Sequence, residues 1–181
     1  MSETRFGDAT NLFIRRWGAM GATWGISRTM AEVHALLYLS NEPLCTDDVM
    51  DRLAISRGST SMNLRELVNW GLIERVHQRG DRKEYFEAEK NVWQMFETIS
   101  RERRRREVLP IMETIERCLG MIDEQSSELR GQEAKDAEGF RRRFTGIYEF
   151  CELLNTLSNG IATAGKRGVK PLLKAIAKLV S

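Results

Sequence analysis

Between Thr46 and Ala88 the hydrophobic pattern changes period, and that change constrains the fold more than any other feature of the chain. Helical spacing runs through Thr46-Asp47-Asp48-Val49-Met50-Asp51-Arg52-Leu53. A short turn, Ala54-Ile55-Ser56, leads to a second helical run from Arg57 to Trp70, stopped by Gly71. The pattern then turns strand-like: Leu72 to His77, a polar tip Gln78-Arg79-Gly80-Asp81-Arg82-Lys83, and a returning strand from Glu84 to Ala88. Helix, tight turn, helix and basic-tipped hairpin, in that order, is the plan of a winged helix-turn-helix. Such a fold places its second helix in a DNA major groove.

The element ends have local causes. Thr46 is a candidate cap for the first helix, and Asp47 and Asp48 sit in its first turn, where the helix dipole favours negative charge. Ser56 can cap the second helix and Gly71 can end it in the left-handed conformation. Thr60, Leu64, Leu67 and Val68 share a core face, which leaves Ser59, Ser61, Asn63 and Arg65 largely off it. With Arg57 these form the expected base-reading set, since Asn pairs with adenine and Arg with guanine through two hydrogen bonds each. Arg79, Arg82 and Lys83 at the wing tip are the expected phosphate contacts, which position a protein without specifying sequence.

Several of these strings resemble a known family. Ile55-Ser56-Arg57-Gly58-Ser59, Met62-Asn63-Leu64-Arg65-Glu66-Leu67 and Trp70-Gly71-Leu72 are similar to the GbsR-like branch of the MarR superfamily of bacterial and archaeal repressors. So are the wing strings Gly80-Asp81-Arg82-Lys83 and Tyr85-Phe86-Glu87-Ala88, and the upstream Leu36-Leu37-Tyr38-Leu39-Ser40 and Glu42-Pro43-Leu44. The pattern extends over residues 10 to 115. The resemblance implies a homodimeric, DNA-binding transcriptional regulator, often tied to osmoprotectant transport or synthesis.

The flanks read as helix. A first helix is expected over residues 8–22 and a second from Thr29 to Ser40, with Val33, Leu36, Leu37 and Tyr38 inward. Gly18, Gly21 and Gly25 lack a preceding strand and the dinucleotide spacing, so they read as close helix packing or a helix stop. Beyond Ala88 a long helix is expected from Asn91 to about Arg130, kinked or reset near Leu109 by Pro110. Another runs from about Ala134 to Ser158, and a short one begins near Pro171. The expected fold class is therefore mainly α with a small β-wing. Residues 1–90 form the winged helix-turn-helix domain (recognition helix about 57–70, wing about 72–88), and residues 91–181 a helical dimerisation and effector region. Phe140, Phe144, Ile147 and Cys151 lie on one apolar face, which argues for a helical homodimer interface.

Composition adds limits. The net charge is only +2, but Ser56 to Lys83 holds six basic residues against three acidic, a local net of +3. Arg101 and Arg103 to Arg106 form a second basic run, read as a solvated helix paired with Glu97, Glu102 and Glu107, or as a flanking phosphate clamp. Lys170, Lys174 and Lys178 make the last helix basic, read as packing on the dimer core rather than lying on a membrane. Three scattered cysteines suggest no disulfide framework and fit a reducing cytoplasm. No stretch approaches the roughly 20 apolar residues that cross a bilayer. His34 and His77 have no partner at metal spacing and no nucleophile motif around them, so no metal, cofactor or catalytic residue is expected.

The expected partners are double-stranded DNA, a second copy of the chain and an unidentified small-molecule effector. Trp17, Trp24, Tyr38, Trp70 and Trp93 read as core, with a quaternary-ammonium cage as the alternative. The rival function is a winged-helix protein-interaction module that does not touch DNA, favoured only by apolar Met62 on the recognition helix.

Overall fold

A computed structural model describes residues 5–125 and 128–167, with backbone alone for 162–167. The expected helix at Pro171 and its lysines lie outside the described residues. The chain divides into two compact units, Met1–Thr98 and Ile99–Ser181.

The first unit begins with two packed helices, α1 (Arg5–Thr23) and α2 (Arg28–Leu39). Two of the glycines let them approach. A Cβ on Gly21 would stand 2.6 Å from Ala31 Cβ, and one on Gly18 would stand 2.5 Å from Glu32 Cγ. Gly25, with φ at +79°, ends the α1 turn, so packing and stop are divided among the three. The side-chain hydroxyl of Ser27 accepts from Met30 N and caps α2.

A two-residue strand, β1 (Leu44–Cys45), precedes α3 (Thr46–Leu53) and α4 (Arg57–Trp70). The cap of α3 differs from expectation. Cys45, one residue before Thr46, occupies it, and its N–H donates to Asp48 Oδ2 at 2.8 Å. At the other end Ala54 takes the left-handed conformation, φ +52°. Ser56 does cap α4, accepting from Ser59 N, and Gly71 does end it at φ +73°.

The wing is β2 (Ile73–Val76) and β3 (Tyr85–Ala88), paired antiparallel with Ile73 opposite Ala88 and Val76 opposite Tyr85. β1 adds a third strand on the other edge of β3, Leu44 opposite Phe86. Phe86 and Ala88 alternate inward and close the core over Val33, Leu37, Val49, Leu64 and Leu67. Where the wing leaves the sheet, Lys90 Nζ donates to three carbonyls at the end of α2, those of Leu37, Tyr38 and Ser40, at 2.7–2.9 Å. The first unit closes on the start of α5 (Val92–Arg103).

In the second unit a five-residue π turn, Arg104–Val108, leads into α6 (Leu109–Gln125). Pro110 has no N–H to return to Arg106; the widened turn, in which Leu109 N–H reaches Arg104, absorbs the mismatch. The helix resets at Leu109, as the sequence predicts. The arginine run is knit to its own helix: Arg105 and Arg106 reach Glu102 at 2.8 and 3.4 Å, and Arg103 reaches Glu107. Gly131, at φ +59°, opens α7 (Gly131–Arg167), a single helix of 37 residues that continues past Ser158, where the sequence pattern ends it. Tyr148 donates to Glu116, and Arg141 pairs with Asp123, so α6 and α7 run antiparallel. No described helix is long and apolar enough to cross a membrane.

Candidate nucleic-acid interface

α4 buries Thr60, Asn63, Leu64, Leu67 and Trp70. Four of these sit where apolar packing requires. Asn63 corrects the sequence reading: it is 3% exposed, not turned to solvent. It stands three residues after Thr60 and four before Leu67, so the core face is wide enough to include it. Its Nδ2 donates to Ser59 O at 2.8 Å, which satisfies the buried amide locally and turns it from any base edge. Arg57, Met62 and Arg65 are exposed; Ser59 and Ser61 are half-buried. The Arg65 guanidinium lies back along the helix, Nε to Ser61 O at 3.2 Å.

The wing tip is ordered by Asp81. Its carboxylate accepts from Lys83 N at 2.9 Å and from the Tyr85 hydroxyl at 2.8 Å. These bonds, Lys83 first and Tyr85 second, hold its carboxyl below the usual carboxylate range, and the bond to Asp81 pushes the Tyr85 phenol up. Gly80, at φ +90°, permits the turn. Arg79, Arg82 and Lys83 are all exposed, and among the described residues no ion pair engages Arg79 or Arg82.

Helix and wing meet at Asp47, a residue the sequence suggested only as a helix-dipole partner. Arg57 Nη2 lies 2.5 Å from Asp47 Oδ1, and Lys83 Nζ lies 3.4 Å from Oδ2. The Arg57 and then the Lys83 bonds keep the Asp47 carboxyl low, and Asp47 in turn raises the Lys83 ammonium. The three line a shallow cavity of about 200 Å³ with Cys45, Thr46 and Glu84. No local signal could have found this cluster, because its members come from three elements.

Among the aromatic residues Trp17 and Tyr38 flank His34, with ring centroids 6.2 Å away on either side, and Phe13 stacks on Trp17. Trp70 is buried and donates to Glu66. Among the described residues no group of three or more His, Cys, Asp or Glu is placed to share a metal ion.

The family model described as MarR family matches residues 24–84, from the end of α1 to the base of β3. Over that stretch the chain resembles the MarR family. The chain is similar, over 73 residues at 27% identity, to the HTH-type transcriptional repressor GbsR of Bacillus subtilis (strain 168), and over 74 residues at 24% identity to its HTH-type transcriptional repressor OpcR. The first match covers 40% of each chain; the second covers 41% of this chain and 40% of OpcR. Similarity to the YvaV protein of the same organism is 25% over 91 residues, half of this chain and 51% of YvaV. The chain thus spans about half or less of the curated relatives it matches. A solved structure described as that of a transcriptional regulator shares the fold with a TM-score of 0.53 at 20% identity, covering 84% of this chain and 99% of that one. The matched residues span α2, the α3–α4 pair, β2 and the wing tip, and with them the Asp47 cluster and the exposed face of α4.

Proposed function

We propose that the chain is a cytoplasmic, sequence-specific DNA-binding transcriptional regulator, a repressor acting as a homodimer on a pseudo-palindromic operator. The observation that carries the reading is the joining of α4 to the wing: Arg57 and Lys83 converge on one carboxylate within 3.4 Å. A helix start and a wing tip on one basic surface can hold a groove and its phosphates together. The similarity to GbsR and OpcR, both transcriptional repressors, supports the same reading. In it Ser61 and Arg65, with Ser59 beside them, read bases, and Arg57, Arg79, Arg82 and Lys83 hold phosphates. Asn63 supports α4 from within.

The dimer is supported by α7, which leaves Phe140, Ile147, Phe150, Leu153, Leu154 and Leu157 exposed along one helix. Phe140 and Phe144 also line an apolar groove of about 560 Å³ against Met121 and Ile122 of α6. A second copy would cover both, so the reading unit of residues 1–90 and the helical region of residues 91–181 divide the work. A small-molecule effector acting on the spacing of the two readers, and a link to osmoprotectant genes, rest on the family resemblance alone.

A gel shift with the DNA upstream of the protein's own gene tests this. Retardation at sub-micromolar protein that random DNA does not compete away is expected. Met62, 60% exposed on α4, keeps a second reading in view, a docking module. Failure to shift any duplex, together with loss of a protein partner on Met62→Ser, would favour that reading.

A further inference from the structure

Two cations from different elements converge on one carboxylate at the centre of the proposed DNA-facing surface. Arg57 comes from the first turn of α4 and Lys83 from the wing, and Asp47 of α3 receives both. The cluster is open to solvent, each side chain being 44% exposed or more. An exposed ion pair contributes roughly 0–1 kcal/mol, too little to explain the arrangement as a stabilising device. Its geometry is that of an anion site already holding an anion: a fork of guanidinium N–H donors and an ammonium, aimed at two carboxylate oxygens, where a phosphate would present the same two acceptors.

We propose that Arg57 and Lys83 form a phosphate cradle that Asp47 occupies in the free protein, so that a DNA backbone phosphate must displace the Asp47 carboxylate to bind there. This rests on the DNA-binding reading above and adds a threshold to it. Asp47 keeps the two cations from holding any phosphate that passes. Only a duplex that also satisfies the α4 readers brings enough further interaction to open the site. Asp47 is then a specificity-determining residue that need not touch a base.

The test is Asp47→Asn, with Asp8→Asn in exposed α1 as a control of equal charge. Affinity for a random-sequence duplex is measured across a salt series. One more net positive charge at the interface steepens the log–log salt slope by up to about 0.9 and tightens binding on the order of five- to tenfold at 0.1 M salt. Asp47→Asn should show both changes, Asp8→Asn neither, and selectivity for the operator should narrow. Adding Lys83→Gln should erase the gain. Equal or weaker binding by Asp47→Asn, or an equal gain by Asp8→Asn, overturns the proposal. If wild type and Asp47→Asn both ignore duplex DNA, the DNA reading fails and the cradle is judged separately on inorganic pyrophosphate. The Arg57 Nε–H resonance should then shift with pyrophosphate in Asp47→Asn well below the concentration needed in wild type, and identical titrations overturn it. A melting curve for each variant shows that the fold is retained.

Discussion

His34 is 3% exposed, and among the described residues its Nε2 has no hydrogen-bond partner. Burial, and then the charge of Lys90, push its pKa down to about 4. The folded chain therefore holds it neutral, whereas the unfolded chain protonates it below about 6.5. Its contribution is complete above pH 6.5 and lost as the pH falls from there towards 4, about 3 kcal/mol at the low end. Urea melts at pH 7.5 and 4.5 should show the loss, and His34→Leu should flatten it; a wild type equally stable at both would contradict the buried neutral imidazole. Asn63 gives a second prediction at this scale. Asn63→Ala removes the bond to Ser59 O and should lower stability by roughly 0.5–1.5 kcal/mol, while affinity per folded molecule stays near wild type. Arg65→Ala should do the reverse, costing about 1–3 kcal/mol on the operator and little stability. If Asn63→Ala changed base preference without touching stability, the inward placement of that side chain would not describe the bound protein.

The element scale is where the amino-acid sequence was most legible. Ser56 and Gly71 mark the ends of α4 by their own chemistry, and the short polar tip between two β-branched and aromatic runs announces the wing. β1 was not legible, because two residues carry no periodicity. Asp47 was half legible: its charge suits a helix start, but its partners Arg57 and Lys83 are joined to it only once the chain has folded. Asn63 was misread because helical spacing gives the centre of a buried face and not its width. The crossing of α1 and α2 yields a prediction opposite to propensity. In an exposed helix Gly→Ala gains roughly 1 kcal/mol. At Gly21 the new Cβ would meet the fixed Cβ of Ala31, and overpacking of that kind costs about 1–3 kcal/mol. Gly21→Ala should lower the melting temperature; Gly18→Ala should lower it less, because the Glu32 side chain can swing aside. A Gly21→Ala variant as stable as wild type would mean that the two helices separate readily.

For the whole molecule, the exposed face of α7 sets the expectation. Each apolar side chain of that kind contributes roughly 1.5–3 kcal/mol when fully buried, so a two-fold helical interface should persist at micromolar concentration. Leu153→Glu should shift sedimentation towards monomer and weaken operator binding, leaving the melting of residues 1–90 in place; a wild-type monomer that held a half-site tightly would remove the dimer from the scheme. The stripe through Phe140, Phe144, Ile147 and Cys151 was legible as an apolar face, but nothing in its spacing separates the part lying against α6 from the part left open. The three carbonyls gripped by Lys90 carry a further consequence, for the order in which the chain assembles. They join residues 37–40 to residue 90, so together with the β1–β3 pairing they close a circuit of about fifty residues that holds the α3–α4 pair and the wing. Closing a circuit of that length costs on the order of 3–4 kcal/mol of chain entropy, recovered only when the wing arrives. The contacts inside α3 and α4 are local and can form early, whereas this closure is late and non-local. Lys90→Met should therefore speed unfolding far more than it slows folding, and the amides of β3 should lose their exchange protection before those of α4.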